Sequence, residues 1–276
     1  MSKKVLVTGN AGYIGSHLTN ILRRRKKYQV WGLDYDQPQV EVHDHLNGDI
    51  RTIPRLDFVE FDTVIHLAAL VNVGESVRDP ISYYRTNIAG TENVLSKITY
   101  KNFIFASTGA AAGAASPYGI SKRAAEDIVA QHCQEESIPY TIFRFYNVIG
   151  SDGIAPTNPD GLMLNLINAQ KTGEFTVFGD DYNTVDGTAI RDYVHVNEIC
   201  HALIEAIERP ANCVENLGHG QGHSVLEMVD LFKQVNTVDF KVKLGPRRAG
   251  DLERSVLDNP SKYLPNLYSI KDLLKI

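Results

Sequence analysis

Tyr118-Gly119-Ile120-Ser121-Lys122 places a phenol and an ammonium four residues apart, a spacing that on a helix brings both to one face, a turn apart. A phenol is a poor base at its ordinary pKa near 10; a neighbouring cation favours the phenolate and brings it toward useful basicity. Just before this stretch, Ser107 and Thr108 follow the apolar run Phe103-Ile104-Phe105-Ala106, and their hydroxyls could hold a substrate oxygen against Tyr118. A base of this kind becomes useful beside an oxidant held in the same site.

Such an oxidant needs a cradle, and the start of the chain has its parts. Val5-Leu6-Val7 reads as a strand, Thr8-Gly9-Asn10-Ala11-Gly12-Tyr13-Ile14-Gly15 as a glycine turn, and the segment through Ile21 and Leu22 as a helix. Gly9 permits the tight turn, Gly12 lets a pyrophosphate approach backbone N–H groups, and Gly15 lets the helix pack against the strand with its positive end toward the phosphates. The second strand, Val30-Trp31-Gly32-Leu33, ends at Asp34, about 20 residues past the last glycine. A carboxylate there accepts from ribose hydroxyls and repels a 2′-phosphate, so the cofactor expected is NAD rather than NADP.

Further apolar runs, Thr63 to Leu67, Phe103 to Ala106 and Tyr140 to Phe145, alternate with segments of helical period. This alternation builds an α/β fold, a Rossmann-like doubly wound parallel sheet covered on both faces. Asp79-Pro80 and Ser116-Pro117 each pair an N-cap with a proline at the first helical position, predicting helices over 80–97 and 117–134. Residues 109–115 are all alanine and glycine and read as a flexible loop. After Gly150 the chain turns rich in Pro, Asp, Asn and Gly, which sets an NAD-binding domain at 1–150 and a smaller mixed α/β substrate domain at 151–276, with 185–215 expected to pack back on the first. In the second half the patterns predict a helix at 162–170, strands at 175–178 and 193–196, a helix at 197–208, and one opened by the capping box Ser224-Val225-Leu226-Glu227.

The 276 residues carry a net charge of −5 with 43% apolar and 22% charged residues, and the pI is near 6.0. That balance is of a globular protein and argues against nucleic-acid or anionic-membrane partners. The basic run Arg23 to Lys27 suits the negative end of the first helix. The three cysteines, Cys133, Cys200 and Cys213, are widely spaced and odd in number, so a reducing cytoplasm is expected rather than a disulfide framework. No run reaches the length of a signal core or a membrane span. His43-Asp44-His45 has no supporting ligands nearby and reads as a solvated loop, so no metal site is expected.

With these motifs in place, the chain resembles the extended short-chain dehydrogenases/reductases that act on nucleotide sugars, and within them the 4-epimerases. The likeness rests on the glycine motif, Gly48-Asp49-Ile50, His66-Leu67-Ala68-Ala69, Val73-Gly74-Glu75-Ser76-Val77, Asn87 with Gly90-Thr91, Tyr118 to Lys122, and Arg144-Phe145-Tyr146-Asn147. In the second half it rests on Phe178 to Tyr182 with Asp186-Gly187-Thr188, on Arg191 to Val196, and on Pro246 to Asp251. The resemblance implies Tyr118 as catalytic base, Lys122 as its partner and a ribose ligand, and Thr108 as the hydroxyl beside the sugar. It implies cofactor contacts from Gly9, Gly12, Tyr13, Ile14, Gly15, Asp34, Leu67, Ala68, Ala69, Asn87, Ser107 and Tyr146, with Asp49 and Ile50 bordering the adenine. Asn147, Arg191, Arg248 and Asp251 would hold the UDP part of a UDP-sugar; guanidinium groups suit this because they pair bidentately with phosphate oxygens.

The chain departs from the family pattern in its shortened 34–49 and 108–118 stretches, in Val71 where a lysine is frequent, and in Gly161 where an asparagine is frequent. A 4,6-dehydratase or decarboxylase needs an acid directly after the threonine, whereas Gly109, Ala110 and Ala111 follow Thr108; a non-catalytic NAD-binding sensor could lose Tyr118 and Lys122, and both are present. Ser255 falls where epimerases restricted to non-acetylated sugars carry a tyrosine, which implies room for an N-acetyl group. The resemblance also implies a homodimer built on the two helices at 80–97 and 117–134; the sequence adds the apolar residues Ile88, Leu95, Ile128 and Val129 as candidates for the interface, some of which must face the chain's own sheet.

Overall fold

In the computed structural model, which describes residues 2–248 and 250–276, the chain opens with β1 (Lys3–Thr8), α1 (Tyr13–Arg24), β2 (Tyr28–Asp34), β3 (Asp44–Asn47), β4 (Leu56–Phe61) and β5 (Thr63–His66). Then come α2 (Val73–Arg78), α3 (Pro80–Tyr84), a π-helical turn (Arg85–Ala89), α4 (Gly90–Lys97), β6 (Ile98–Tyr100), β7 (Phe103–Thr108), α5 (Ala110–Gly113), α6 (Pro117–Glu135) and β8 (Tyr140–Phe145). The remainder holds β9 (Asn147–Ile149), α7 (Leu162–Thr172), β10 (Glu174–Phe178), β11 (Ile190–His195), α8 (Val196–Glu208), β12 (Asn212–Leu217), β13 (Gly222–Ser224), α9 (Val225–Asn236), β14 (Lys241–Gly245) and β15 (Arg254–Ser255).

These elements form two compact units, 1–144 with 200–215, and 145–199 with 216–276. The first break falls ahead of Gly150 because β9 pairs with β11, which belongs to the second unit. For the same reason the returning stretch begins at Cys200 and not at 185.

The first unit carries the expected sheet, seven strands in the order β12-β8-β7-β5-β1-β2-β3. From β1 the chain adds β2 and β3 on one side, then returns to place β5, β7, β8 and β12 on the other. This reversal beside β1 is the switch point at which such sheets bind ligands. β1 pairs in parallel with both β2 and β5, with Val7 opposite Gly32 and Ile65. Leu6, Leu33, Val64, Phe103, Phe105, Val129 and Ile142 share one buried cluster, so the apolar runs are strands covered by helices. At roughly 1.5–3 kcal/mol for each fully buried aliphatic or aromatic side chain, this burial holds the strand ends that carry the site.

The helix starts form as their sequences predict. Asp79 accepts from Ser82 N–H and Ser116 from Gly119 N–H, each followed by proline. Helix α1 ends on Arg23 and Arg24. Four expectations need correction. His43-Asp44-His45 is not a loop: Asp44 and His45 begin edge strand β3, paired with Trp31 and Gly32. The 109–115 segment is not a flexible loop either, since alanine is the strongest helix former and Ala110–Gly113 makes a helical turn with Ala111 buried. The helix expected over 80–97 is interrupted by the π-turn at 85–89. Leu95 and Val129, offered as interface residues, are buried in the unit's own core.

In the second unit β11 is central: Ile190–Asp192 pairs antiparallel with β13, Ile190 and Arg191 pair in parallel with β15, and Tyr193–His195 with β9. β10 and β14 form a separate parallel pair. The capping box forms at α9, Ser224 accepting from Glu227 N–H and Glu227 from Ser224 N–H, and Met163, Leu166, Phe175, Phe232 and Phe240 fill a core of their own.

Candidate active site

The glycine loop is held from three directions. Gly9 has φ of +75°, and a Cβ there would lie 2.7 Å from the Ala68 nitrogen, so both turn and close approach require glycine. A Cβ on Gly15 would lie 2.1 Å from the Gly9 carbonyl oxygen and 2.7 Å from Asn10 Cα. Gly15 is therefore demanded by the loop folding back on the helix start, and not, as expected, by contact with the strand. Gly12 differs, because a Cβ there would meet only the Gly9 oxygen at 3.3 Å. It begins α1 with no side-chain cap and no acid in the first turn, which leaves the positive helix end and its N–H groups for an anion. The donor set and the open cradle fit a dinucleotide pyrophosphate, with Tyr13 and Ile14 half-buried in that first turn.

Asp34 ends β2 beside this loop. Its carboxylate accepts from Ala11 N–H at 3.0 Å and from Asp36 N–H at 3.1 Å, so it closes the loop while keeping lone pairs for ribose hydroxyls. Asp49 accepts a fork from Arg51, Nε at 2.9–3.0 Å and Nη2 at 2.5 Å, and those bonds hold its carboxyl below the usual range. Ile50 is buried, its side chain touching the site where a Gly90 Cβ would stand, so its backbone is what remains to border a base.

A directional chain of hydrogen bonds sets the segment after β5. Thr91 Oγ1 donates to the Asn87 carbonyl at 2.7 Å, so the His66 ring must donate from Nε2 to Thr91, 3.0 Å away. The other ring nitrogen then accepts from Thr8 Oγ1 at 2.7 Å, and Thr8 Oγ1 in turn accepts from Ala68 N–H at 3.3 Å. The neutral ring this requires agrees with burial, which together with the Lys122 charge pushes His66 down to about 3. Leu67 N–H donates to the Thr8 carbonyl, so Leu67 and Ala68 lie against Gly9, with Ala69 following in the chain. Asn87, in the π-turn, uses its whole amide within the protein. Its Oδ1 accepts from Leu70 N–H, and its Nδ2 donates to the Leu70 carbonyl and to Ser121 Oγ. Ser121 Oγ donates to the Tyr118 carbonyl, so Asn87 ties the post-β5 segment to the helix bearing Tyr118.

Tyr118 and Lys122 lie on α6 and are 8% and 3% exposed. The Thr108 hydroxyl near the phenol favours its charged form, yet burial dominates and pushes Tyr118 up to about 12. Burial also pushes Lys122 down to about 7, opposed by the charge of Glu126. The expected lowering of the phenol by the ammonium is thus not what the chain alone produces, because desolvation outweighs it. Lys122 Nζ lies 4.2 Å over the Phe105 ring. The Tyr83 ring meets Tyr118 edge-on at 6.3 Å. Ser107 does not join Thr108 beside the phenol. Ser107 instead donates to buried Glu126, further along α6, which Arg144 also holds.

In the second unit the structure brings Arg191, Asp251 and Ser255 together. Arg191 Nη2 is 3.6 Å from Asp251 Oδ1, and Ser255 on β15 is the register partner of Arg191 on β11. Arg248 lies 4.0 Å over the Phe178 ring and donates to the Asp160 carbonyl at 3.2 Å. Asn147 is exposed on β9, and Tyr146 N–H donates to the Leu217 carbonyl. Ala249, inside the expected nucleotide segment, lies outside the described residues. The residues to which sequence reasoning gave no role are His66 with its two threonines, Glu126, and Tyr83; Thr8, His66 and Thr91 stand inside motifs on which the family likeness rests, and Glu126 lies one further four-residue step beyond Tyr118 and Lys122.

A glycine loop at the switch point of a parallel sheet, with a buried tyrosine and lysine one helical turn apart two strands away, defines an extended short-chain dehydrogenase/reductase. Residues 5–218 match the NAD dependent epimerase/dehydratase family, and the chain belongs to it. A UDP-glucose 4-epimerase from Haemophilus influenzae is 33% identical over 294 residues, spanning 90% of this chain and 87% of that protein. The crystal structure of a UDP-glucose 4-epimerase from Bifidobacterium longum in complex with NAD+ and UDP is 29% identical, with a TM-score of 0.85 over 98% of this chain and 96% of that one. The UDP-Glc/GlcNAc 4-epimerase from Campylobacter jejuni is 28% identical, with a TM-score of 0.76 over 99% and 98%.

Proposed function

We propose that this chain is an NAD-dependent UDP-hexose 4-epimerase, working through a transient 4-keto sugar. The observation that carries this reading is Tyr118, buried with Lys122 on α6 near the Thr108 hydroxyl, with no acid following Thr108 to support dehydration or decarboxylation. NAD, which the glycine cradle would hold, would supply the hydride acceptor for C4 of the sugar and the hydride donor to its opposite face. Tyr118 takes the proton of the 4-hydroxyl and later gives one back, Thr108 holds the same oxygen, and Lys122 favours the phenolate and reaches the ribose. Gly9, Gly12, Gly15, Asp34, Asp49, Leu67, Ala68 and Ala69 make up the cofactor side. Asn147, Arg191, Arg248 and Asp251 clamp the UDP end, which must hold while the hexose turns.

The test follows UDP-galactose and UDP-glucose by NMR. Interconversion with no net NADH is expected; steady NADH accumulation, or no interconversion of any UDP-hexose, overturns the reading.

The small Ser255, opposite Arg191 in the strand register, supports acceptance of N-acetylated sugars. An N-acetyl group adds three heavy atoms beyond a hydroxyl oxygen, and forcing that volume into a close-packed pocket costs about 1–3 kcal/mol. Ser255→Tyr is expected to lower UDP-GlcNAc turnover selectively, by about tenfold or more at that cost, and to spare UDP-glucose. Equal effects on the two would remove Ser255 as the gate.

A homodimer is part of the same proposal. Val77 on α2, Ile81 on α3 and Ile120 on α6 are 45%, 53% and 44% exposed, on three helices that pack together. Three free cysteines suit the cytoplasm. Among the described residues no helix is long and apolar enough to cross a membrane.

A further inference from the structure

Tyr118, Lys122 and Glu126 recur at intervals of four on α6, so they share a stripe facing the sheet. All three are buried, Glu126 to 3% exposure. A carboxylate so far from water is costly unless it is paired and hydrogen-bonded, and this one is. Ser107 Oγ donates to Glu126 Oε1, Arg144 Nε donates to the same oxygen at 2.9 Å, and Arg144 Nη2 to Oε2 at 2.5 Å. Ser107 lies on β7 and Arg144 on the neighbouring β8, so the single carboxylate pins α6 across two strands. Phe105, two residues before Ser107 and hence on the same face of β7, carries the ring beneath Lys122 Nζ.

We propose that Glu126, clamped by Ser107 and Arg144, is the positioning residue of the Tyr118–Lys122 pair, setting both the seat of the helix and the charge that Lys122 faces. The proposal rests on the epimerase reading for its kinetic test and stands apart from it in a second measurement. Lys122 faces His66 from β5, neutral in its threonine network, Tyr118 and Glu126 from its own helix, and the Arg144 cation beyond Glu126 on β8. Tyr83 of α3 touches Tyr118. Glu75, Arg78, Arg85 and Glu92, on the other segments packed against α6, are exposed, and Lys97 donates to the Ile53 carbonyl. Glu126 is thus the buried anion opposing the loss of the Lys122 proton.

Glu126→Gln keeps the shape and removes the charge. Taking away a negative charge lowers the proton affinity of every nearby group, so both limbs of the kcat/KM pH profile move to lower pH. For charges one helical turn apart, partly screened by Arg144, the displacement is about one unit, a tenfold change in proton affinity. In parallel, the side-chain NMR signal of Lys122, assigned with Lys122→Met, titrates lower by the same amount, whether or not the protein turns over a sugar. A merely structural role lowers amplitude and leaves the limbs where they were.

If Glu126→Gln strands Arg144 and does not fold, the double variant Glu126→Gln/Arg144→Gln removes the pair without leaving either charge alone, and its limbs also move down. Limbs and Lys122 titration within about 0.3 unit of wild type in a folded variant overturn the proposal. A wild type that interconverts no UDP-sugar overturns the epimerase reading instead, and leaves the NMR titration to decide this one.

Discussion

Tyr118→Phe separates stability from chemistry, because the structure gives the two effects different sizes. Only the hydroxyl is lost. The ring keeps its place, 8% exposed and edge-on to Tyr83 at 6.3 Å, so almost no apolar burial changes. A hydroxyl's hydrogen bond contributes about 0.5–1.5 kcal/mol net, which bounds what losing the phenol oxygen near Thr108 costs. Thr108 Oγ1 still accepts from Ala110 N–H at 3.2 Å, so it is not left without a partner. Stability should therefore fall by about 1 kcal/mol, a Tm shift of about 2–4 °C for a chain of this size. Catalysis loses a general acid–base group, at least about a hundredfold, or about 2.7 kcal/mol of barrier. The assay starts from UDP-galactose and reads UDP-glucose with a coupling dehydrogenase, while Tm and bound NAD are measured on the same sample. The expected result is retained NAD, a Tm within about 4 °C, and turnover down about a hundredfold or more. Turnover within about threefold of wild type, well short of the usual general acid–base contribution, would refute the base assignment. Lost NAD would show that the phenol holds the cofactor rather than the proton.

Gly15→Ala places a methyl 2.1 Å from the Gly9 oxygen, so the loop must shift, and NAD content after refolding should fall at least tenfold; retained NAD would mean the loop is free to move. In the second unit His219 Nε2 is 2.9 Å from Glu198, which also accepts from Leu267 N–H at 2.9 Å. The bond to Glu198 raises His219 above 6.5. Burial alone would raise Glu198, but its bonds outweigh that and hold it below 4.5. The His219 contribution is therefore complete below about 6.5 and lost as pH rises through its raised value, and the Glu198 contribution is complete above about 4.5 and lost as pH falls through its lowered one. Tm should peak between about pH 4.5 and 6.5 on this account, and a Glu198→Gln protein with the same pH dependence as wild type would contradict it. Ile81→Glu with Ile120→Glu places charge on exposed apolar positions and should shift sedimentation from dimer to monomer and make Tm independent of protein concentration; a wild-type monomer at micromolar concentration would remove the dimer outright.

The groups that sequence reasoning located are those whose spacing is itself the device. Gly9, Gly12 and Gly15 needed only the strand before and the helix after them, and Tyr118 and Lys122 only the helix period, because their chemistry depends on local geometry. Ser107 is placed by its partner rather than by its neighbour in sequence. It donates to Glu126, on the stripe of α6 that carries Tyr118, and the sequence does not say which residue of that stripe it meets. His43 to Asp44 and His45 read as loop because an edge strand needs little apolar content to pair; the parallel ladder with Trp31 and Gly32 is a tertiary fact.

The larger omission has one physical cause. Thr8, His66 and Thr91, and likewise Ser107, Glu126 and Arg144, are polar residues far apart in the chain that satisfy one another in the dry interior. A buried polar group is stable only when its partners are complete, and which partners complete it is decided by sheet order, which no single stretch of sequence carries. These networks explain how short, mostly backbone-lined loops can hold a reactive pair in place. Ala68 is held through Thr8 and His66, and Tyr118 through Ser121 and Asn87. The seat of α6 follows from Glu126. Residues that react can be read from their neighbours in sequence, whereas residues that hold them are read from their neighbours in space. A mutational search for weakened catalysis with intact cofactor binding should therefore concentrate on Glu126, Arg144 and Asn87, where each side chain joins two elements and none has to meet the substrate.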